Sequence, residues 1–170
     1  MKKLSVLILI AVLFFSSNTF AQNYKFGHID ASQLIQAMPD REKAKTELQS
    51  YAKQLEDQLG EMQKEMQSKQ QDYLAQKDTI SDLIRQMKEE ELQSLYQRVQ
   101  TFQQTAQQDL QKKESDLMQP IIEKARNAIK EVGEENKFTY IYDTSAGVLL
   151  YWSPDSKDVM PLVKKKLGIQ

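Results

Sequence analysis

Apolar residues recur along the middle of the chain at alternating steps of three and four, with Gln and charged residues between them. The first such stretch places apolar side chains at Leu48, Ala52, Leu55, Leu59, Met62, Met66 and Tyr73. The second places them at Leu92, Leu95, Val99, Phe102, Ala106, Leu110 and Leu117. A heptad spacing is typical of helices that pack along one seam, so the pattern predicts two paired helices.

The two helical stretches meet at "QKDTISDL", where Asp78 and Ser81 are good turn and N-cap residues. A turn at Thr79–Ile80 gives two arms, 40–78 and 81–119, each roughly 58 Å long. Pro39 and Pro120 mark the roots of the arms, and we expect them to act as hinges. Residues 40–119 are therefore predicted to form a helical hairpin.

Both ends of the chain change to a β-type composition. "YKFGHID", "KFTYIYD" and "GVLLYW" predict strands, and the turn residues of "DTSAG" predict that the last two form a β-hairpin. "MPLVKKKLG" predicts a short closing helix, with Pro161 near its start and Gly168 after its end. The predicted fold class is α+β: a small β-body, formed by residues 22–39 and 120–170, with the helical hairpin inserted between its first strand and its later strands.

A body of this size rarely forms a stable core alone, and the chain has no Cys that could form a disulfide. We therefore expect the body to oligomerise by pooling the apolar faces of its strands. The candidate residues of this oligomer core are Phe26, Ile29, Phe138, Tyr140, Tyr142, Val148, Leu150 and Trp152.

Residues 1–21 have the pattern of a secretory signal peptide. "MKK" is a basic start, residues 4–15 are apolar, and Ala21–Gln22 is a suitable cleavage site. The alternative is a membrane anchor, but the apolar run is shorter than the ~20 residues of a spanning helix. The sequence therefore predicts a protein exported through a cleaved signal peptide.

Charge and residue chemistry give no sign of catalysis. The net charge is −1, and residues 40–119 carry 12 basic and 16 acidic side chains, so no basic surface for nucleic acid is expected. His28 is the only His, and a structural role in its strand is expected. Without Cys or further His, the acidic run Glu89–Glu91 is expected to be a solvated surface. We predict no enzyme activity, metal or cofactor.

In two blocks the chain resembles the Skp/OmpH family of periplasmic chaperones. They are "KFGHIDASQLIQAMPD" near the start and "KKESDLMQPIIEKARNAIKEVGEENKFTYIYDTSAGVLLYWSPDSKDV" near the end, with a Gln-rich hairpin between them. The resemblance implies a periplasmic homotrimer with three helical arms that enclose unfolded outer-membrane proteins. The arms of this chain are acidic, unlike those of basic family members, so we expect only weak contact with a membrane surface.

The resemblance directs attention to apolar residues on the arms that could contact such a client. These candidate contacts are Leu74, Ile80, Leu83, Ile84, Met87, Met62 and Met66. The alternative for the three Met residues is that they complete the seam between the arms. The expected function is that of an ATP-independent holdase, which would prevent aggregation of unfolded outer-membrane proteins. The alternative is a trimeric envelope spacer or adaptor that binds one folded partner.

Overall fold

The computed structural model describes residues 24–169. The predicted signal peptide and the cleavage site at Ala21 and Gln22 lie outside this range. In chain order, the elements are β1 (Phe26–Ile29), α1 (Ala31–Ala37), α2 (Pro39–Gln76), α3 (Asp82–Glu135), β2 (Tyr140–Asp143), β3 (Lys157–Asp158) and α4 (Met160–Leu167). The long helices α2 and α3 are inserted between β1 and the later strands, as the sequence predicted.

The hairpin forms because α2 and α3 share a narrow apolar seam. Leu95 and Val99 of α3 are buried, whereas the other seam residues are half-buried, as expected for a two-helix structure exposed on most sides. Helix α2 ends at Gln76 and α3 begins at Asp82, so the predicted turn at Thr79–Ile80 is confirmed. The Ser81 hydroxyl accepts a hydrogen bond from the Ile84 N–H at 3.4 Å and caps α3, as its position predicted.

Helix α3 continues beyond the predicted end of the second arm. It runs through Pro120 without interruption and ends at Glu135, and the N–H of its C-cap residue, Asn136, donates to the Val132 carbonyl. The predicted second arm and the helical segment that follows it are therefore one helix of 54 residues. Its C-terminal part packs against the sheet, because Ile121, Ala125 and Val132 are buried there.

The sheet has three strands in the order β2-β1-β3, and both pairings are parallel. The predicted β-hairpin of "KFTYIYD" and "GVLLYW" is wrong: residues 148–152 form no strand, and β3 lies in the predicted "SPDSKD" loop. The residues of "DTSAG" do not form the turn of a β-hairpin. The Asp143 carboxylate accepts hydrogen bonds from the Ser145 N–H at 2.9 Å and from the Ala31 N–H at 3.1 Å, and so joins the end of β2 to the start of α1.

The core of the body lies between one face of this sheet and the surrounding helices. Its most deeply buried side chains are Ile29, Leu34, Val159 and Val163. Helix α4 closes the core and has the predicted ends, with Pro161 in its first turn and Gly168 at a positive φ of 69° after its last residue. Among residues 24–169, no helix packs on the second face of the sheet.

Candidate functional surfaces

The tip of the hairpin carries apolar side chains that have no core to fill. We call Leu74, Ile80, Leu83, Ile84 and Met87 the tip patch. Leu83 is 69% exposed and Met87 is 62% exposed, and Leu74 and Ile84 are also exposed. Because the hairpin ends at a short turn, these side chains have few neighbouring residues to pack against. The structure therefore places all five predicted contact residues of the tip at one end of the molecule.

Met62 and Met66 lie further down the hairpin and are half-buried in the seam. Met66 also lines a shallow cavity of about 420 Å³, together with Leu92 and Tyr96 of α3. Tyr96 is 51% exposed, which leaves this cavity open to solvent. Met66 therefore faces both the opposite helix and a small external hollow, whereas Met62 lies in the seam.

Polar contacts hold the two arms in register at several heights. The Lys69 ammonium lies 2.6 Å from the Glu91 carboxylate, and the Lys113 ammonium lies 2.6 Å from Glu47. Because the hydrogen bond from Lys69 favours the charged carboxylate, the pKa of Glu91 is lowered. The acidic run at Glu89–Glu91 thus contributes to pairing of the arms: Tyr73 donates a hydrogen bond to Glu89 across the same seam.

The roots of the arms contain the two proposed hinge residues. Pro39 occupies the first turn of α2, after the buried Met38, and Pro120 lies inside α3. Between them, the Lys124 ammonium donates to the Asp40 carboxylate at 2.6 Å. This hydrogen bond lowers the pKa of Asp40 and links the two helices at the point where they leave the body.

The uncovered side of the sheet is an aromatic face. We use this name for Tyr24, Phe26, Tyr140 and Tyr142, all of which are exposed. The rings of Phe26 and Tyr140 stack at a centroid distance of 6.3 Å and an angle of 5°, and Tyr140 contacts Tyr142 at 6.0 Å. Successive side chains of a strand point to opposite faces, so Ile29 and Ile141 lie on the other side. A patch of this kind on a small body is a typical interaction surface.

Residues 144–156, which we call the connecting segment, cross this face without joining the sheet as a strand. Leu150 is 97% exposed and Val148 is 78% exposed. Trp152 contacts His28 at a ring distance of 5.4 Å, and the His28 ring lies 2.9 Å from the Ser156 hydroxyl. The segment and the aromatic face enclose an open cavity of about 1040 Å³.

The eight residues predicted for an oligomer core therefore fall into two groups. Ile29 is buried in its own chain, and Phe138 is half-buried against the core, under the Lys25 ammonium at 4.1 Å from its ring. The remaining six lie exposed on the aromatic face or the connecting segment: Phe26, Tyr140, Tyr142, Val148, Leu150 and Trp152. These six are accessible to a second copy.

One surface was not predicted from the sequence. We call it the root groove: a hollow of about 570 Å³ between α1, α3 and β2, beside the roots of the arms. Ile35, Met118, Ile122, Ile129 and Ile141 form its apolar lining, and Arg41 and Arg126 are its basic residues. The apolar residues of α3 indicated a buried helix face in the sequence, but nothing indicated that this face would remain partly uncovered.

The described residues give no sign of a metal centre or a membrane span. Residues 24–169 contain no group of three or more His, Asp or Glu side chains arranged to bind a metal ion. Within the same range, no helix is both long and apolar enough to cross a bilayer.

A small parallel sheet interrupted by a long helical hairpin defines the class of fold, and comparison with known proteins identifies the family. The family model described as "Outer membrane protein (OmpH-like)" matches residues 25–167. The chain therefore belongs to the OmpH-like family. A search of curated proteins gave no match.

The fold is also found in a solved structure. The crystal structure of a candidate outer membrane chaperone (OmpH-like) from Caulobacter crescentus CB15 superposes with a TM-score of 0.74. The sequence identity is 15%, and the match covers 85% of this chain and 83% of that one. At this sequence identity, the structural similarity establishes that the two proteins share a fold.

Proposed function

We propose that this protein is an ATP-independent periplasmic holdase that binds unfolded outer-membrane β-barrel proteins and keeps them from aggregating. The observation that carries the proposal is the tip patch, in which four of the five apolar side chains are exposed and Ile80 is half-buried, on a hairpin whose remaining surface is mostly polar. Membership of the OmpH-like family supports it. The solved relative named as a candidate outer membrane chaperone has the same fold.

The proposed mechanism requires no chemical reaction. Flexible and exposed side chains such as Met87 and Leu83 can contact many sequences, because they adapt their shape to each one. Each contact is weak, so the client remains disordered while its apolar segments are shielded from one another. Polar cross-arm contacts keep the hairpin extended, so that the apolar tip remains far from the body.

We further propose that the functional unit is a homotrimer assembled through the bodies. The stacked rings of the aromatic face and the exposed Leu150 would leave a large apolar area in water on a single copy. A trimer would cover this area and hold three tips around one client. The mass of the mature protein, measured by light scattering, tests this step.

The holdase activity is tested by diluting a urea-unfolded outer-membrane barrel protein into buffer that contains the chain. We expect light scattering by the client to be suppressed. The double substitution Leu83→Ser and Met87→Ser should raise the concentration needed for half suppression severalfold, because two exposed apolar contacts are lost. Gln86→Ser, an exposed polar change on the same turn, is the control and should behave like the wild type.

The two outcomes separate the competing functions. A trimer that leaves the client to precipitate as it does alone would exclude the holdase and favour the spacer or adaptor. Unchanged suppression by the double variant would show that the tip patch is not the client surface.

A further inference from the structure

Two features of the body, a projecting apolar segment and an open apolar hollow, have no partner among residues 24–169. The connecting segment projects Val148 and Leu150 into solvent, and the root groove leaves an apolar hollow of about 570 Å³ open. An exposed Leu and an open apolar groove are each unfavourable in water, and burying one in the other removes both.

The charges of these two features are also complementary. Neither Arg41 nor Arg126 forms an ion pair with any residue between 24 and 169. Asp155 is the one charged residue of the connecting segment, and it too has no ion-pair partner in the described chain. The groove also contains the Asp143 carboxylate, which accepts hydrogen bonds from the Ala31 and Ser145 N–H groups, so its two arginines leave a net charge of +1. A segment with one negative charge thus meets a groove with a net positive one.

The segment does not fill the groove of its own chain. Leu149, Tyr151 and Trp152 line the cavity on the aromatic face, whereas Ile29 and Ile141 line the root groove on the opposite face of the sheet. Of the whole segment, only Ser145 reaches the groove. The occupant must therefore come from another molecule.

We propose that residues 148–150 of one copy dock in the root groove of a second copy, with Asp155 directed toward the arginines of that groove. The contact joins two different surfaces, so it is heterologous, and its repetition through a three-fold rotation closes a ring of three copies. This proposal rests on the proposed homotrimer and specifies how its copies are connected. It also places the joint between copies beside Pro120, at the root of the arms.

Engineered cross-linking tests this contact cleanly because the natural chain has no Cys. Leu150→Cys and Ile122→Cys are made in separate chains, which are mixed, reassembled and oxidised. We expect covalent dimers in the mixture and none with either variant alone. Leu150→Cys mixed with Lys130→Cys is the matched control, because Lys130 is an exposed residue of α3 that does not line the groove.

The mass of the uncross-linked assembly is measured first, which separates this proposal from the proposed function. A trimer without cross-links to Ile122→Cys would overturn the docking and leave the trimer intact. Covalent dimers of Leu150→Cys alone would also overturn it, because the segments would then meet one another. A single-chain mass would overturn both proposals.

A charge exchange provides a second test that does not depend on cross-linking. Arg126→Glu should raise the protein concentration at which half of the assembly dissociates by at least about tenfold, because it places two carboxylates together. Adding Asp155→Arg to the same chain should recover most of this loss. If the second change gives no recovery, Asp155 does not meet the groove. Circular dichroism of the helices confirms that each variant is folded.

Discussion

Replacing Gly27 with Ala should destabilise the body, because β1 is packed too closely to admit a methyl group. A Cβ at this position would lie 3.0 Å from Val159 Cγ1 and 3.1 Å from Phe138 Cε1. Carbon atoms in favourable contact are about 3.5–4.0 Å apart. Val159 is fully buried, and the Lys25 ammonium covers the Phe138 ring, so neither side chain can move away freely.

The size of the effect follows from two opposing contributions. Overpacking of a core by one methyl group costs about 1–3 kcal/mol. Removing a Gly from a strand recovers about 0.5–1 kcal/mol of backbone entropy. We therefore expect Gly27→Ala to lower the free energy of unfolding by about 1–2 kcal/mol.

Gly60 provides the matched control, since the same substitution is made where there is space. It lies inside α2, and a Cβ there would meet no atom within 4 Å. Gly60→Ala should therefore stabilise the hairpin by up to about 1 kcal/mol.

Urea unfolding at one fixed protein concentration measures both variants. Fluorescence of the single Trp, Trp152 beside β1, reports on the body, and circular dichroism reports on the helices. An unfolding midpoint for Gly27→Ala equal to that of the wild type would refute the packing argument. So would an equal loss of stability in Gly60→Ala.

Two further predictions concern the junction of the body and the arms. Burial raises the pKa of Asp143, but hydrogen bonds from Ser145 and the Ala31 N–H outweigh it and hold the pKa below the ordinary 3.8. The stabilisation that the ionised Asp143 carboxylate gives the fold is therefore present above about pH 4 and is lost as the pH falls through the lower folded pKa. Asp143→Asn should flatten the decline of urea stability below about pH 4, and an unchanged slope would contradict this role. Pro120→Ala should stiffen the proposed hinge, because it returns a backbone N–H to α3. Slower amide exchange near residue 120 and a narrower spread of the arms in X-ray scattering would support it; no change in either would exclude a hinge there.

The hairpin could be predicted from the sequence because its information is local. The heptad spacing specifies which side of each helix is apolar, and Ser81 specifies where the second helix begins. The exposed side chains of the tip could be predicted for the same reason: the turn at Thr79–Ile80 ends the seam, so apolar residues close to it have little to pack against.

The sheet was predicted less accurately than the hairpin. The turn residues that follow a strand do not show whether the next strand pairs with it in parallel or antiparallel orientation. The polar "DTSAG" is typical of a β-hairpin, yet its Asp143 binds the start of α1. Strand β3 has only two residues, both charged and exposed, so no hydrophobic pattern indicates it. The root groove was missed because it depends on α1 and α3 packing at an angle that no local pattern specifies.

The insertion of the hairpin has a consequence for how the chain folds. Lys25 and Thr139 are bonded neighbours in the sheet, although 114 residues separate them along the chain. Bringing such distant residues together is slow for a flexible chain. The hairpin contacts, in contrast, form outward from the tip between residues that are close in sequence. Once the hairpin is paired down to the contact between Asp40 and Lys124, the ends of the sheet are already side by side. We therefore expect the arms to form first and to act as the template on which the body assembles.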